Sequence, residues 1–245
     1  MKVIFIKLLA VLFYFTPINS FSETFSVMLY EGVNPPYVII KNGQNTGVFI
    51  DLFAEISRLT NHEFVFKNYP VARALKEFDM GRVDIEPGVN EKWRQKRKVP
   101  GEYSIPYEQS REVIVFKEQN KIKVNSPKDL YGKNIGIVRG YSYPKFEQAF
   151  NDKLIYKVSN RSEALLLKQL QRDRIKYIFI GERTIKYYLQ QSSQFNNIVI
   201  GDNVSQAEVK LRVHPDKAYV IPELNNALKQ LMETGVIKKI YDKYQ

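Results

Sequence analysis

The sequence predicts an α/β protein of two similar lobes that face each other across a cleft. Three observations lead there. Short apolar runs of strand character alternate with amphipathic stretches of helical period, the pattern of a mostly parallel sheet covered by helices. The unit Leu75-(x5)-Gly81-Arg82-Val83-Asp84 is echoed by Leu167-(x5)-Asp173-Arg174-Ile175-Lys176, a helix–turn–strand grammar repeated 92 residues apart, too far for a solenoid. Finally, 245 residues at 44% hydrophobic content, with 12 Gly and 11 Pro, suffice for a packed core in one large or two small domains.

The elements follow in order. Residues 24–30 read as an apolar strand running into a Gly-Val-Asn-Pro-Pro turn, and 37–40 as a short second strand. Asn45-Thr46-Gly47 leads into a helix whose Val48, Ile50, Leu52, Phe53, Ile56 and Leu59 form a wide apolar face. Residues 64–66 are a strand, 71–80 a helix with Gly81 placed to stop it, and 83–85 a strand. After Ile105-Pro106-Tyr107, the strand 112–116 and the polar stretch 117–128, a second α/β series begins: strand 134–138, helix 143–151, strand 154–158. Asn160 reads as the cap of a helix starting Arg161-Ser162-Glu163, with Glu163 closing an Asn-x-x-Glu capping box. Strand 175–180, helix 182–191, strands 198–200, 209–213 and 218–221, and one or two helices over 223–241 complete the chain.

The N-terminus reads as a secretory signal peptide over residues 1–22. Lys2 and Lys7 form the positive end, an apolar run from Leu8 to Phe15 follows, and Ser20 and Ser22 stand at the −3 and −1 positions of a cut after Ser22. The apolar run is too short to span a bilayer. The expected product is a free periplasmic protein, a monomer, with no membrane insertion after cleavage.

Composition excludes several classes of chemistry. There is no cysteine, hence no disulfide scaffold, thiolate metal site or cysteine nucleophile. His62 and His214 are the two histidines, too few for a histidine-rich metal site. No metal and no cofactor are expected. The net charge is +11, or +9 without Lys2 and Lys7. Its lysines and arginines are spread along the chain and mixed with acids, as in Glu91-Lys92-Trp93-Arg94-Gln95-Lys96-Arg97, so a solvated basic surface and no nucleic-acid partner is the reading. There is no Gly-x-Ser-x-Gly elbow, His-Glu-x-x-His pair or phosphate loop, and no catalytic residue is assigned.

From Val27 onward the chain resembles the family 3 extracellular solute-binding proteins, the polar amino-acid receptors of bacterial ABC importers. The resemblance rests on Asn34-Pro35-Pro36-Tyr37, Gly47-Val48-Phe49-Ile50-Asp51-Leu52, Gly81-Arg82-Val83-Asp84, and Trp93-Arg94 leading to Tyr103-Ser104-Ile105-Pro106-Tyr107. It continues with Asp129-Leu130-Tyr131-Gly132-Lys133-Asn134-Ile135-Gly136 and with residues 236–244. It implies a two-lobed type II periplasmic-binding fold with a ligand cleft between lobes. Lobe I would comprise residues 23–110 plus 209–245 and lobe II residues 111–208, with crossings near 108–111 and 205–209. It also implies a small-molecule ligand and an inner-membrane ABC permease as partner.

The resemblance also assigns residues. Arg94 matches the arginine that grips the ligand α-carboxylate, and a planar guanidinium suits that role. Ser142 falls where the family has a hydroxyl at a helix N-terminus. Three departures cut the other way. The family's ammonium-pairing aspartate aligns with Gly181, with Glu182 one position on as a substitute. Glu86-Pro87-Gly88-Val89-Asn90 stands where the family has hydroxyls, leaving Asn90 as the polar candidate. The aromatic sandwich positions read Asn34 and Val48. Tyr37, Tyr69, Trp93, Tyr107, Tyr141 and Tyr143 are the rings available to re-line the cleft. Arg73 is a second cationic candidate, and Glu31 sits in the first loop, where cation-binding members carry an acid. The expected function is capture of a small carboxylate-bearing solute, an amino acid or a relative, for an importer. The alternatives are a periplasmic ligand sensor signalling through a membrane partner, and an enzyme of the same fold such as a dehydratase.

Overall fold

Strand β1 (Thr24–Tyr30) carries buried residues on both faces at Phe25, Val27, Met28 and Leu29, the burial of a strand covered by helices on both sides. This computed structural model describes residues 22–31 and 34–244; residues 1–21 of the expected signal segment lie outside them. A small hairpin, β2 (Ile39–Lys41) with β3 (Gln44–Thr46), leads into α1 (Val48–Thr60), which buries Val48, Phe49, Leu52, Phe53 and Ile56 and ends on left-handed Asn61. Then β4 (Glu63–Tyr69) pairs in parallel with β1 from Thr24↔Glu63 to Tyr30↔Tyr69. The helix α2 (Val71–Asp79) buries Val71, Ala74, Leu75 and Phe78, and β5 (Ile85–Val89) follows.

A two-residue strand, β6 (Glu102–Tyr103), precedes β7 (Glu108–Lys117). The second series is β8 (Asn134–Val138), α3 (Pro144–Asn151), β9 (Tyr156–Asn160), α4 (Glu163–Gln171), β10 (Tyr177–Gly181) and α5 (Glu182–Gln191). The long β11 (Ile198–Val213) returns to the first half, and α6 (Ile221–Glu233) and α7 (Val236–Asp242) close the chain. The sheet path is β4-β1-β5-β11-β7-β10-β8-β9, with β6 on β11.

The strands at 198–200 and 209–213, expected as separate, are one strand. Its pairing with β7 slips between Ile200 and Asn203 and again between Asn203 and Ser205, and such irregularities bend a strand without ending it. Residues 210–213 of β11 pair with β5 and β6, and residues 198–209 with β7. Two α/β lobes are thereby joined through paired strands, Glu108↔Val209 to Glu112↔Ser205. Two further expectations are corrected. Residues 218–221 are not a strand; a short helical turn, Pro215–Val220, and the first residue of α6, Ile221, occupy them. Asn160 does not cap α4: Ser162 is extended (φ −156°, ψ 156°) and its hydroxyl accepts from Leu165 N–H, so the helix begins at Glu163.

Each lobe has its own core. Phe25, Val27 and Leu29 pack with α1 and with Leu224 and Leu228 of α6 in the first, and Phe146, Phe150 and Phe179 with Ile135 and Ile137 in the second. A third cluster bridges them, running from Met28, Val71 and Phe78 to Val138, Leu166 and Ile178.

Candidate functional site

The lobes meet around a narrow cleft of about 80 Å³, well under the range of about 300–1,000 Å³ usual for small-ligand sites, so the lobes stand close together over it. Tyr30, Tyr37, Phe49 and Trp93 from the first lobe and Tyr141 from the second give it aromatic walls. Tyr30 and Tyr141 face each other across the cleft with centroids 6.4 Å apart, and Tyr37 packs on Phe49 at 5.3 Å. The floor is tight: a Cβ on Gly88 (φ +72°) would lie 2.5 Å from Phe49 Cζ, so only glycine lets the ring lie there.

Behind the first-lobe wall is a buried charge cluster. Glu86 on β5 accepts from Arg94 Nη2 at 2.6 Å, from Arg94 Nε at 3.1 and 3.2 Å, from Arg212 Nη1 at 2.6 Å, and from the Tyr30 hydroxyl. All three charged residues are buried. Arg94 also donates to Tyr30 Oη at 2.9 Å and to the Trp93 carbonyl at 3.2 Å. Arg212 is further held by the carbonyls of Val99 and Pro100 and lies 3.7 Å from the Phe78 ring centroid. Burial pushes the Glu86 carboxyl up, but Arg94 and Arg212 outweigh it and hold it below the ordinary carboxylate range. Burial, with Glu86 beside it, keeps the Tyr30 phenol protonated.

The second lobe contributes acids of the opposite disposition. Glu112 on β7 lines the cleft, its Oε2 buried without a partner among the described residues. Burial, reinforced by Glu163, pushes its carboxyl up to about 8. Glu163 opens α4, is 1% exposed, and its Oε2 accepts from the Asn34 N–H of the other lobe at 3.1 Å. Burial pushes it up too, against the opposing hydrogen bonds from its own and the Asn34 N–H groups and from Tyr141. Ser110 and Thr184 complete the polar lining.

The structure brings Arg94, Ser142, Tyr37, Trp93, Tyr141 and Asn34 to the cleft. It takes other expected residues elsewhere. Glu31 is exposed at the loop rim. Arg73 lies on the outer side of α2, 5.3 Å over the Tyr69 ring and 3.5 Å from Glu77. Asn90 caps the turn before Trp93 and donates to the Glu208 carbonyl. Tyr107 and Tyr143 are buried in the two lobe cores, and Val48 in the first. Glu182 pairs with Lys186 at 2.5 Å on the surface of α5. Those residues follow their helix or strand faces, which local sequence order did not reveal.

Sequence reasoning missed Glu112, Glu163 and Tyr30 of the site, its polar lining residues Ser110 and Thr184, and the supporting pair Glu86 and Arg212. A signal existed for two of them. Glu163 had the spacing of a capping-box acid, but the Ser162 cap moves it to the first helical position, where its side chain turns into the cleft. Glu112 heads an apolar strand, and β7 pairs it directly with Gly181 of β10. Opposite residues of an antiparallel pair share a face, so Glu112 stands on the sheet face that a side chain at 181 would also occupy.

Among the described residues, no group of three or more His, Asp or Glu forms a metal-holding set, and no helix is long and apolar enough to cross a membrane.

A cleft between two α/β lobes, joined by paired strands and walled by aromatics, defines a solute-binding architecture. The chain belongs to the bacterial extracellular solute-binding proteins, family 3, matching that family over residues 27–245. It is similar to the Probable amino-acid-binding protein YxeM of Bacillus subtilis (strain 168), 24% identical over 219 residues that cover 87% of this chain and 81% of that protein. It is similar to the ABC transporter arginine-binding protein 1 of Escherichia coli (strain K12), 23% identical, covering 91% of this chain and 94% of that one. Among solved structures, an ancestral arginine-binding protein bound to arginine superposes with a TM-score of 0.77 at 22% identity, covering 90% of this chain and 97% of that one. The two-lobed periplasmic-binding fold expected from the sequence is the fold observed.

Proposed function

We propose that this protein is a periplasmic receptor that captures a small amino-acid-like solute between its lobes and presents it to an inner-membrane ABC permease. The observation that carries the reading is the cleft: aromatic walls come from both lobes, and each lobe brings its own charged groups to it. A solute touching Trp93 and Arg94 on one side and Tyr141, Ser142 and Glu163 on the other holds the lobes together, and its binding free energy is what shifts the open–closed equilibrium. The division into residues 23–110 plus 209–245 and 111–208, with motion at the paired crossing strands, is part of the same reading. The homologues' printed amino-acid and arginine ligands support a solute of that general class.

A carboxylate on that solute meets a reduced anchor. Of the five N–H bonds of the Arg94 guanidinium, four already point to Glu86, Tyr30 and the Trp93 carbonyl, leaving one on Nη1, with the Ser142 hydroxyl opposite. The Glu86 carboxylate fills the contacts that the resemblance gives to a ligand carboxylate.

The test is a thermal-shift screen of residues 23–245 against amino acids, small carboxylates, small amines and peptidoglycan fragments, followed by solution scattering. A ligand that binds only the folded state raises stability by about 2.7 kcal/mol at 100-fold excess over Kd, and closure lowers the radius of gyration. A hit that also stimulates ATP hydrolysis by the reconstituted permease supports import. Turnover of a compound without a saturable shift overturns the receptor reading in favour of an enzyme.

A further inference from the structure

We propose that the solute is an organic cation, an amine or guanidine, that needs no carboxylate, and that Glu112 and Glu163 receive its charge inside the cleft. The inference rests on the receptor reading above and names its substrate class.

Three independent observations converge. The first is on the carboxylate side. A buried internal carboxylate, Glu86, already takes the Arg94 fork with Nη2–Oε1 at 2.6 Å and shares Arg212 at 2.6 Å. A second carboxylate brought to the same arginine would face Glu86 at close range in a poorly hydrated site, where like charges repel strongly. The protein has thus supplied the anion itself.

The second is on the cation side. Gly181 removes one acid, but Glu112 sits opposite it across β7 and β10, with Oε2 buried, unpartnered and in the cleft lining. A buried acceptor without a donor costs free energy, and an ammonium or guanidinium N–H is the donor that satisfies it. Glu163 stands at the same wall, almost fully buried and tied to Asn34 of the opposite lobe. A cation placed between these two acids offsets the burial that holds their protons on, lets them ionise, and draws in Asn34, which already donates to Glu163.

The third is the wall itself. Tyr30, Tyr141, Trp93 and Phe49 line the cleft, and desolvated cations gain from aromatic ring faces. The lining holds one arginine, whose counter-ion Glu86 is shared with Arg212, and two buried glutamates. Neither glutamate has a cationic partner among the described residues, so a cationic solute is the group that would let them ionise in place.

Decarboxylated pairs separate the two chemistries. Mature protein is titrated calorimetrically with agmatine against arginine and with cadaverine against lysine, with 4-guanidinobutyrate and succinate as carboxylate controls. The expected result is that at least one amine binds saturably and no more weakly than its amino-acid counterpart. Glu112→Gln and Glu163→Gln should each weaken that amine by about tenfold or more. Both amides keep the shape and remove an acid whose ionisation burial opposes, so both proteins should fold with unchanged or raised Tm. An amino acid or succinate that binds at least tenfold better than the amines overturns the cation assignment and leaves the receptor reading standing. Equal affinity of the wild-type and both glutamine variants for the amine overturns the roles of Glu112 and Glu163. Silence of every probe, with no change in radius of gyration, counts against this inference and against the receptor reading together.

Discussion

Replacing Glu86 by glutamine tests the charge cluster most directly. The substitution keeps the shape and removes one negative charge from between two guanidinium groups. In the folded protein the side chains of Arg94, Arg212 and Glu86 are 5%, 0% and 1% exposed, so solvent screens none of them. Breaking a buried pair by removing one partner typically costs about 3–5 kcal/mol, because the surviving charge stays desolvated. Here two survive. Arg212 keeps the carbonyls of Val99 and Pro100 and the Phe78 ring, while Arg94 keeps Tyr30 and the Trp93 carbonyl, which together moderate the loss. The expectation is therefore a destabilisation of about 3–5 kcal/mol, read as a fall in Tm of about 6–20 °C for a chain of this size. Arg94→Met should cost less, about 1–3 kcal/mol, because Glu86 then remains paired with Arg212. Thermal and urea unfolding of the mature protein measure both. A Glu86→Gln loss below about 1 kcal/mol, or one smaller than that of Arg94→Met, refutes the argument that Glu86 is the counter-ion of both arginines. The pH dependence has a definite sign. Glu86 titrates below its unfolded value, so its contribution is present above the ordinary carboxylate range and is lost as pH falls through the lowered folded value; Glu86→Gln should remove that acid limb.

Glu112 should act in the opposite sense: its carboxyl is raised to about 8 by burial and Glu163, so the folded state holds an extra proton between the ordinary carboxylate range and pH about 8, and stability should fall as pH rises through that window. Glu163, Tyr37, Tyr141 and Tyr143 are the titratable groups coupled to Glu112, and Glu112→Gln should flatten the slope in urea titrations at several pH values; an unchanged slope would assign the proton elsewhere. Gly140→Ala should hinder closure, because at φ +96° the new Cβ would lie 2.8 Å from Val71 Cγ1 of the opposite lobe; scattering should show a larger radius of gyration in excess agmatine than wild type, and equal closure would refute the contact. Ser142→Ala should weaken solute binding by only about 0.5–1.5 kcal/mol, the net worth of one hydrogen bond, and calorimetry showing a larger loss would mean that the serine also positions the start of α3.

Much of this protein was determined by residue order alone. The alternation of apolar strands and amphipathic helices needs only the periods 2 and 3.6, and it correctly located β1, β8, α1 and α5. The ordered landmarks from Asn34-Pro35-Pro36-Tyr37 to residues 236–244 carried the family and the two-lobed fold, because turn glycines and paired prolines report local backbone geometry directly. The site is different: it depends on which residues become neighbours across strands and lobes. Arg94 was visible as an arginine, yet its partner Glu86 is met only when β5 carries that carboxylate behind the wall to Arg212, 126 positions further along the chain. Glu112 matters because antiparallel β7 sets it opposite Gly181, a register no local pattern encodes. Glu163 matters because a two-residue difference in the start of α4, at Ser162 in place of Asn160, takes it from a helix cap into the cleft. Local order prescribes the backbone through short-range sterics and apolar period, whereas the charges of the cleft acquire their meaning from desolvation and long-range pairing, and those exist only once the lobes are packed.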